Sequence, residues 1–271
     1  MIWFAAGANW PEARSADRLE CTTLSVGHGC AVVLELPGGQ TLLYDAGQLG
    51  MPSRGARTIA GFLWLRGITR IDAVIVSHAD VDHYNALPEL LQRFPIGAVY
   101  VSPVMFREKS AALDALKTAI EDAGTELRLL SAGDELDAGS DCRLRVLHPP
   151  ATGVLGSDNA NSLVLAVEYA GRRLLLPGDL DSPGLDRLLS QDPLDCDVVL
   201  APHHGSLRSN PPSFAAWSSP EWVLISGPRH DRQPGVYEAY AAAGARALRT
   251  AESGAIFVSI DKGGVAVDTW R

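Results

Sequence analysis

The segment Asp72-Ala73-Val74-Ile75-Val76-Ser77-His78-Ala79-Asp80-Val81-Asp82-His83 decides how the chain is read. Its first half is a short apolar run, which predicts a buried strand. Its second half places four metal-ligand side chains, His78, Asp80, Asp82 and His83, within six residues directly after that strand. A loop leaving a strand end can point alternate side chains into one cavity, and imidazole and carboxylate are both ligands for divalent ions. Burying carboxylates beside one another without a cation is unfavourable. A helix cap would explain only one of the four residues.

Two further segments share this arrangement of an apolar strand ending on a ligand. One is Leu176-Pro177-Gly178-Asp179; the other is Leu200-Ala201-Pro202-His203-His204-Gly205-Ser206. Alone, an Asp after Gly reads as a turn, and a His pair is ambiguous. Together the three segments predict ligands gathered on one edge of a sheet, as an active site requires.

Outward from these segments the pattern mixes two kinds of unit. Hairpins are predicted at 31–36 with 40–45, at 162–169 with 173–176, and at 256–260 with 265–269, around Pro37-Gly38-Gly39, Ala170-Gly171 and Gly263-Gly264. Further strands are expected at 24–26, 98–101, 126–130, 142–147, 197–200 and 222–226. Helices are expected at 58–65, 84–94, 110–123, 184–190, 212–217 and 237–243. Two mixed sheets with outer helices fit this α/β alternation better than one doubly wound parallel sheet. A lead-in over 1–20 and one domain over 21–271 are expected, because no linker divides the rest.

The 271 residues are 46% hydrophobic and 20% charged, an ordinary globular composition. With 23 Lys and Arg against 32 Asp and Glu, the net charge is −9. That balance disfavours a uniform polyanion binder, so contact with nucleic acid would need a bound metal or a local basic track. Arg107, Lys109, Arg208, Arg229 and Arg232 lie near the ligand-bearing segments and are candidates for such a track. No stretch approaches the ~18 apolar residues of a membrane span. The apolar Met1–Phe4 start lacks a positive n-region, which argues against a secretory signal. Cys21, Cys30, Cys142 and Cys196 show no CxxC spacing and are expected to be buried structural thiols.

The three segments, with Val26-Gly27-His28-Gly29, Tyr44-Asp45-Ala46-Gly47 and Asn159-Ala160-Asn161-Ser162-Leu163-Val164-Leu165, resemble the metallo-β-lactamase superfamily, and within it the C-terminal hydrolase domain of ComEC-type DNA-uptake (competence) proteins. The likeness spans about residues 21 to 260. It implies a four-layer αββα sandwich and two divalent metal ions, Mn²⁺ or Zn²⁺. Carried over, one metal takes His78, Asp80 and Asp179; the other takes Asp82, His83, Asp179 and His203, with Asp179 bridging. The superfamily's first motif is His-x-His-x-Asp-His, and here Asp80 stands at the second His. Its third-motif His is absent, and Asn159 or Ser162 occupies that region. These oxygen donors harden the first site and shift its preference toward Mn²⁺ or Mg²⁺.

The resemblance also implies a phosphodiesterase, specifically a DNA nuclease degrading single-stranded DNA through a bridging hydroxide. Asp82 would orient the hydroxide, and His204 would act as general acid or support His203. In that family the domain follows a membrane channel, so Met1–Phe4 reads as a remnant of the connection, with the domain on the extracytoplasmic face of the membrane; otherwise it is cytoplasmic. Alternatives are a small-substrate hydrolase (a phosphorylcholine-type esterase, lactamase or lactonase) and a non-catalytic metal-stabilised binding domain. Asp45 is expected to accept hydrogen bonds from the metal-binding loop. His28 is expected in a structural turn, His148 in a structural role and His230 in a solvated loop.

Overall fold

The computed structural model describes residues 17–139, 141–228, 230 and 233–270. Expectations for Arg229, Arg232 and residues 1–16 lie outside the described residues. The strands run in chain order β1 (Leu19–Thr23), β2 (Val32–Glu35), β3 (Thr41–Tyr44), β4 (Ile71–Ile75), β5 (Ile96–Val101), β6 (Glu126–Leu129), β7 (Glu135–Asp137), β8 (Arg143–His148), β9 (Val164–Tyr169), β10 (Arg172–Leu176), β11 (Val198–Leu200), β12 (Trp222–Ile225), β13 (Arg246–Arg249), β14 (Ala255–Asp261) and β15 (Gly264–Trp270). They form an eight-stranded sheet in the order β15-β14-β1-β2-β3-β4-β5-β6 and a seven-stranded sheet in the order β13-β12-β11-β10-β9-β8-β7.

Both sheets are mixed. In the first, β2 and β3 are antiparallel, whereas β3, β4, β5 and β6 run parallel. In the second, β9 and β10 are antiparallel, whereas β10, β11, β12 and β13 run parallel. The predicted hairpins supply antiparallel pairs, β1 adds two more with β2 and β14, β8 adds two with β7 and β9, and the strand–helix alternations supply the parallel pairs.

Strand alternation explains the four layers. Val32, Leu34, Leu42 and Tyr44 face a core shared with Leu165, Val167, Leu174, Leu176, Val198 and Leu200 of the other sheet. The intervening Val33 and Leu43 face the opposite way, onto Ile59, Leu63 and Leu116 of the outer helices. On the far side, Leu175, Val199 and Val223 pack against Leu185, Phe214 and Tyr240. A strand buried on both faces must be apolar at every position, which is why these strands read as continuous runs.

Several boundaries differ from the sequence expectation. The first strand ends at Thr23, and residues 24–26 bend instead, with Val26 N–H donating to Leu24 O at 3.0 Å. The expected helix at 84–94 is divided into Val81–Tyr84 and Leu87–Leu91. Ala86 N–H is taken by Ala46 O, and Pro88 has no N–H to give. The first long helix starts earlier than expected, at Pro52, with proline at its N-terminal turn. β7 and β13 were not anticipated; both are edge strands of the second sheet, and charged residues interrupt the apolar signal in each. No helix among the described residues is long and apolar enough to cross a membrane.

Candidate metal centre

Parallel strands carry their C-terminal ends to one side, and the ligand-bearing loops emerge there. β3 ends at Tyr44 and hands over to Asp45; β4 leads to Ser77 and the 78–83 loop; β10 leads to Asp179; β11 leads to His203 and His204. Backbone bonds tie these loops together. Asp45 N–H donates to Ile75 O at 2.8 Å, Ala46 N–H to His83 O at 2.7 Å, Leu163 N–H to Ser77 O at 2.8 Å, and His203 N–H to Gly178 O at 3.1 Å. The buried Tyr44 hydroxyl donates toward Leu163 O at 2.7 Å and Leu176 O at 3.1 Å, joining the two sheets beneath the cleft.

The backbone is strained where the ligands turn inward. Asp45 has φ +60°, and His203, His204 and Gly205 have φ of +51°, +53° and +78° in succession. Non-glycine residues in this region cost on the order of 1–3 kcal/mol each and persist only when surroundings enforce them. The left-handed run bends the chain at the end of β11 and swings His204 inward. Gly178, at φ +59°, is needed for a second reason: a Cβ there would meet Ser77 Cβ at 2.9 Å.

Asp45 organises the floor of the site. Its Oδ1 accepts Ser77 N–H at 2.7 Å, and its Oδ2 accepts both the Ser77 hydroxyl at 2.8 Å and His83 Nδ1–H at 2.8 Å. Having given its proton to a carboxylate, Ser77 Oγ accepts from His78 Nδ1, 2.9 Å away. His204 Nδ1 donates to Ser226 O at 3.2 Å. The three acceptors therefore each engage Nδ1, so Nε2 is the nitrogen that all three imidazoles present to the cleft.

Those Nε2 atoms converge on carboxylates. His83 Nε2 lies 3.3 Å from His204 Nε2 and 3.3 Å from Asp179 Oδ1. His204 Nε2 lies 3.4 Å from Asp82 Oδ2 and 3.5 Å from Asp179 Oδ2. His78 Nε2 lies 3.5 Å from Asp80 Oδ2; it is buried and has no hydrogen-bond partner. These separations exceed normal hydrogen bonds, for which N···O falls near 2.7–3.2 Å. They match the edge of a coordination polyhedron, about 3.4 Å for tetrahedral ligands at metal–ligand bonds near 2.1 Å. The donor set and the orphaned His78 Nε2 fit divalent cations. His78, His83 and Asp179 offer ligand atoms within 4.8 Å of one another, as do His28, Asp82 and His204.

The same field sets the protonation. Burial raises the pKa of Asp179, but His204, His83 and His78 outweigh it and hold the carboxyl well below the usual range. Burial acts likewise on Asp82, and His204 and His83 again pull it below the ordinary carboxylate value. Burial opposes charge on His83, yet Asp179 and Asp45 raise its pKa well above that of a free imidazole. His204 is raised in the same direction, with burial opposing and Asp179 and Asp82 prevailing.

The remaining expected residues fall around this cluster. Asp82 and Asp179 are nearly enclosed. Asp80 stands at the open side, with a half-exposed side chain that makes no capping hydrogen bond to the short helix it precedes. His203 lies on the rim: its side chain is 36% exposed against 7% for His204, and its Nε2 is 3.9 Å from Asp179 Oδ2. Asn159 Nδ2 approaches His203 Nδ1 at 3.5 Å, and Ser162 Oγ is buried without a hydrogen-bond partner. The mouth is a shallow cavity of about 210 Å³ lined by His28, His203, His204, Ser206 and Gln233. His148 is buried against Ala160 O at 2.8 Å, away from the cluster, and His230 is exposed. The four cysteines are free and buried. Arg107 donates to Thr152 O at 2.9 Å, and Arg107, Lys109 and Arg208 are exposed.

Sequence reasoning did not find three contributors. Ser77 relays between Asp45 and His78, Ser226 supplies the carbonyl that orients His204, and Cys30 lies beside Asp45 and His83. Ser77 was legible as the polar residue closing an apolar strand; a main-chain carbonyl leaves no mark in a sequence.

The sequence profile of the metallo-beta-lactamase superfamily matches residues 24–215. The chain is similar to ComE operon protein 3 of Bacillus subtilis, at 28% identity over 227 residues, covering 79% of this chain and 29% of that protein. It is also similar to competence protein ComA of Neisseria gonorrhoeae, at 26% identity over 268 residues, covering 96% of this chain and 35% of that protein. It thus spans about a third of the length of these relatives. Among solved structures, Zn²⁺-bound PqqB from Methylobacterium extorquens shares the fold, with a TM-score of 0.54 at 13% identity, covering 85% of this chain and 97% of that one.

Proposed function

The chain belongs to the metallo-β-lactamase superfamily of metal-dependent hydrolases, and from that membership and the geometry of its cleft we propose that it is a phosphodiesterase with a dinuclear centre, acting as a nuclease on single-stranded DNA. The observation that carries this reading is the 3.3 Å approach of His83 Nε2 to His204 Nε2 between the carboxylates of Asp82 and Asp179. Asp179 and Asp45 keep a proton on His83 in the free protein, and a divalent cation would take the place of that proton between the two imidazoles and the two carboxylates.

In this reading His78, Asp80 and Asp179 would hold one ion, and Asp82, His83, Asp179 and His204 would hold the other. The sequence pattern suggested His203 as ligand and His204 as general acid or as support for His203; the burial and inward direction of His204 favour His204 as the ligand. His203, on the rim beside Asn159, is then placed to bind substrate or to donate a proton to the departing oxygen. When bound, the ions supply Lewis acidity that makes hydroxide available near neutral pH and offsets charge on the attacked group. Asp45 and Ser77 hold the imidazoles in the tautomer that coordination needs. Asp82 and Asp179, kept ionised by the surrounding histidines, supply the negative charge that retains the ions.

The choice of DNA is supported by the competence proteins the chain resembles. A third of their length is covered here, so attachment to a membrane channel belongs to the same proposal. The oxygen-rich first site, with one imidazole among its three ligands, favours Mn²⁺ there.

Turnover of single-stranded DNA by protein reconstituted with Mn²⁺ or Zn²⁺, beside a bis-aryl phosphodiester and a chromogenic lactam, tests the reading. The expected outcome is DNA cleavage with Mn²⁺ that disappears in Asp82→Ala. Equal cleavage by both proteins, or turnover of the lactam alone, would refute it.

A further inference from the structure

The turn before β2 brings a further imidazole to the cleft. His28 Nε2 lies 3.7 Å from Asp82 Oδ2, its ring centroid is 5.0 Å from that of His204, and His28, Asp82 and His204 present ligand atoms within 4.8 Å of one another. The 3.7 Å separation is too long for a hydrogen bond and close to the spacing of two ligands on one ion.

The backbone is built to hold this position. Gly27 and Gly29 have φ of +93° and +140°. A Cβ on Gly29 would come within 2.5 Å of Gly47 O and 2.8 Å of Asp82 O, so only glycine lets this turn lie against the metal-binding loop. Cys30 N–H donates to Asp82 O at 3.2 Å, Leu49 N–H to His28 O at 2.7 Å, and the Ser226 hydroxyl to Gly29 O at 2.6 Å. The segment carrying His28 is thus fastened to the Asp82 loop, to the Asp45 loop, and to the residue that orients His204. A turn serving only to reverse the chain has no need of these three attachments.

We infer that His28 Nε2 is an additional ligand, on the solvent side, of the ion that Asp82 and His204 would hold. This rests on the dinuclear reading above. It gives the two ions different surroundings: three imidazoles at the second site against one, His78, at the first. Imidazole suits Zn²⁺, and carboxylate suits Mn²⁺ or Mg²⁺. His28 therefore adds to the selectivity of the second site for the softer ion, and a mixed Zn²⁺–Mn²⁺ centre follows from the donor count.

The test is equilibrium binding of Zn²⁺ and Mn²⁺ by calorimetry, with visible absorption of the Co²⁺-substituted protein, on the full chain and on His28→Gln and His28→Ala. Melting of the chelator-treated proteins serves as the folding control. The expected result is a loss of about 10-fold or more in Zn²⁺ affinity at one site, an altered Co²⁺ spectrum, unchanged Mn²⁺ binding at the other site, and unchanged melting without metal. Wild-type Zn²⁺ affinity in both variants would overturn the inference, as would weakened affinity with an unaltered Co²⁺ spectrum, which would make His28 a positioning residue. If the unsubstituted chain binds no ion, the metal centre itself falls and this ligand with it.

Discussion

His83 Nδ1 and Asp45 Oδ2 are 2.8 Å apart, both buried, and this bond fixes which nitrogen of His83 is left for the cleft. Asp45 comes from the first hairpin and His83 from the loop after β4. The bond therefore joins the end of the first hairpin to a residue that faces the cleft. Carboxylates in this position orient a ligating imidazole and raise its basicity.

Asp45→Asn tests that role. An amide keeps the shape, but it accepts with one oxygen where the carboxylate receives three bonds. The expected result is a 10- to 100-fold loss in affinity for the ion that His83 holds, with the far-ultraviolet spectrum unchanged. Calorimetric titration with Zn²⁺ reads it; unaltered affinity would show that Ser77 and the backbone suffice to orient His83.

His203 and His204 are adjacent in the chain but are expected to fail differently. His204→Ala removes an enclosed donor and should lower metal content. His203→Ala removes a rim residue and should leave metal content intact while slowing turnover. Metal analysis with steady-state kinetics on the two variants separates them, and a larger loss of metal from His203→Ala would restore the assignment suggested by the sequence alone.

A prediction away from the cleft concerns Arg66 and Glu35. Arg66 Nε donates to Glu35 Oε1 at 2.8 Å, and the two side chains are 5% and 6% exposed. Removing one member of a buried pair strands the other charge, at a cost of about 3–5 kcal/mol. Arg66→Ala should therefore melt well below the wild type in urea, and Arg66→Ala with Glu35→Gln should recover part of that loss. Equal stability of the single variant and wild type would show that water reaches the pair.

How much of this was legible in the sequence depends on what each feature leaves behind. The central strands were readable because burial on both faces favours continuous apolar runs, as in residues 32–34 and in Val198–Leu200. The edge strand Arg246–Arg249 was not, because its exposure pattern carries no such demand. The gathering of imidazoles and carboxylates at strand ends was readable at His78, Asp80, Asp82, His83 and Asp179. The inward turn of His204 was not, since it depends on three consecutive left-handed residues that the pair His203-His204 does not announce. His28 read as a turn residue between glycines. That this turn is pressed against Asp82, 54 residues away in the chain, leaves no mark in the sequence.

The dinuclear centre stands or falls most directly on the number of ions per chain. Elemental analysis of protein dialysed to equilibrium against Mn²⁺, and separately against Zn²⁺, should return two ions per chain, falling below one in Asp179→Ala because that carboxylate serves both positions. A single ion or none in the unsubstituted protein would mean that the imidazoles and carboxylates gathered at the ends of β4, β10 and β11 do not form the paired site described above.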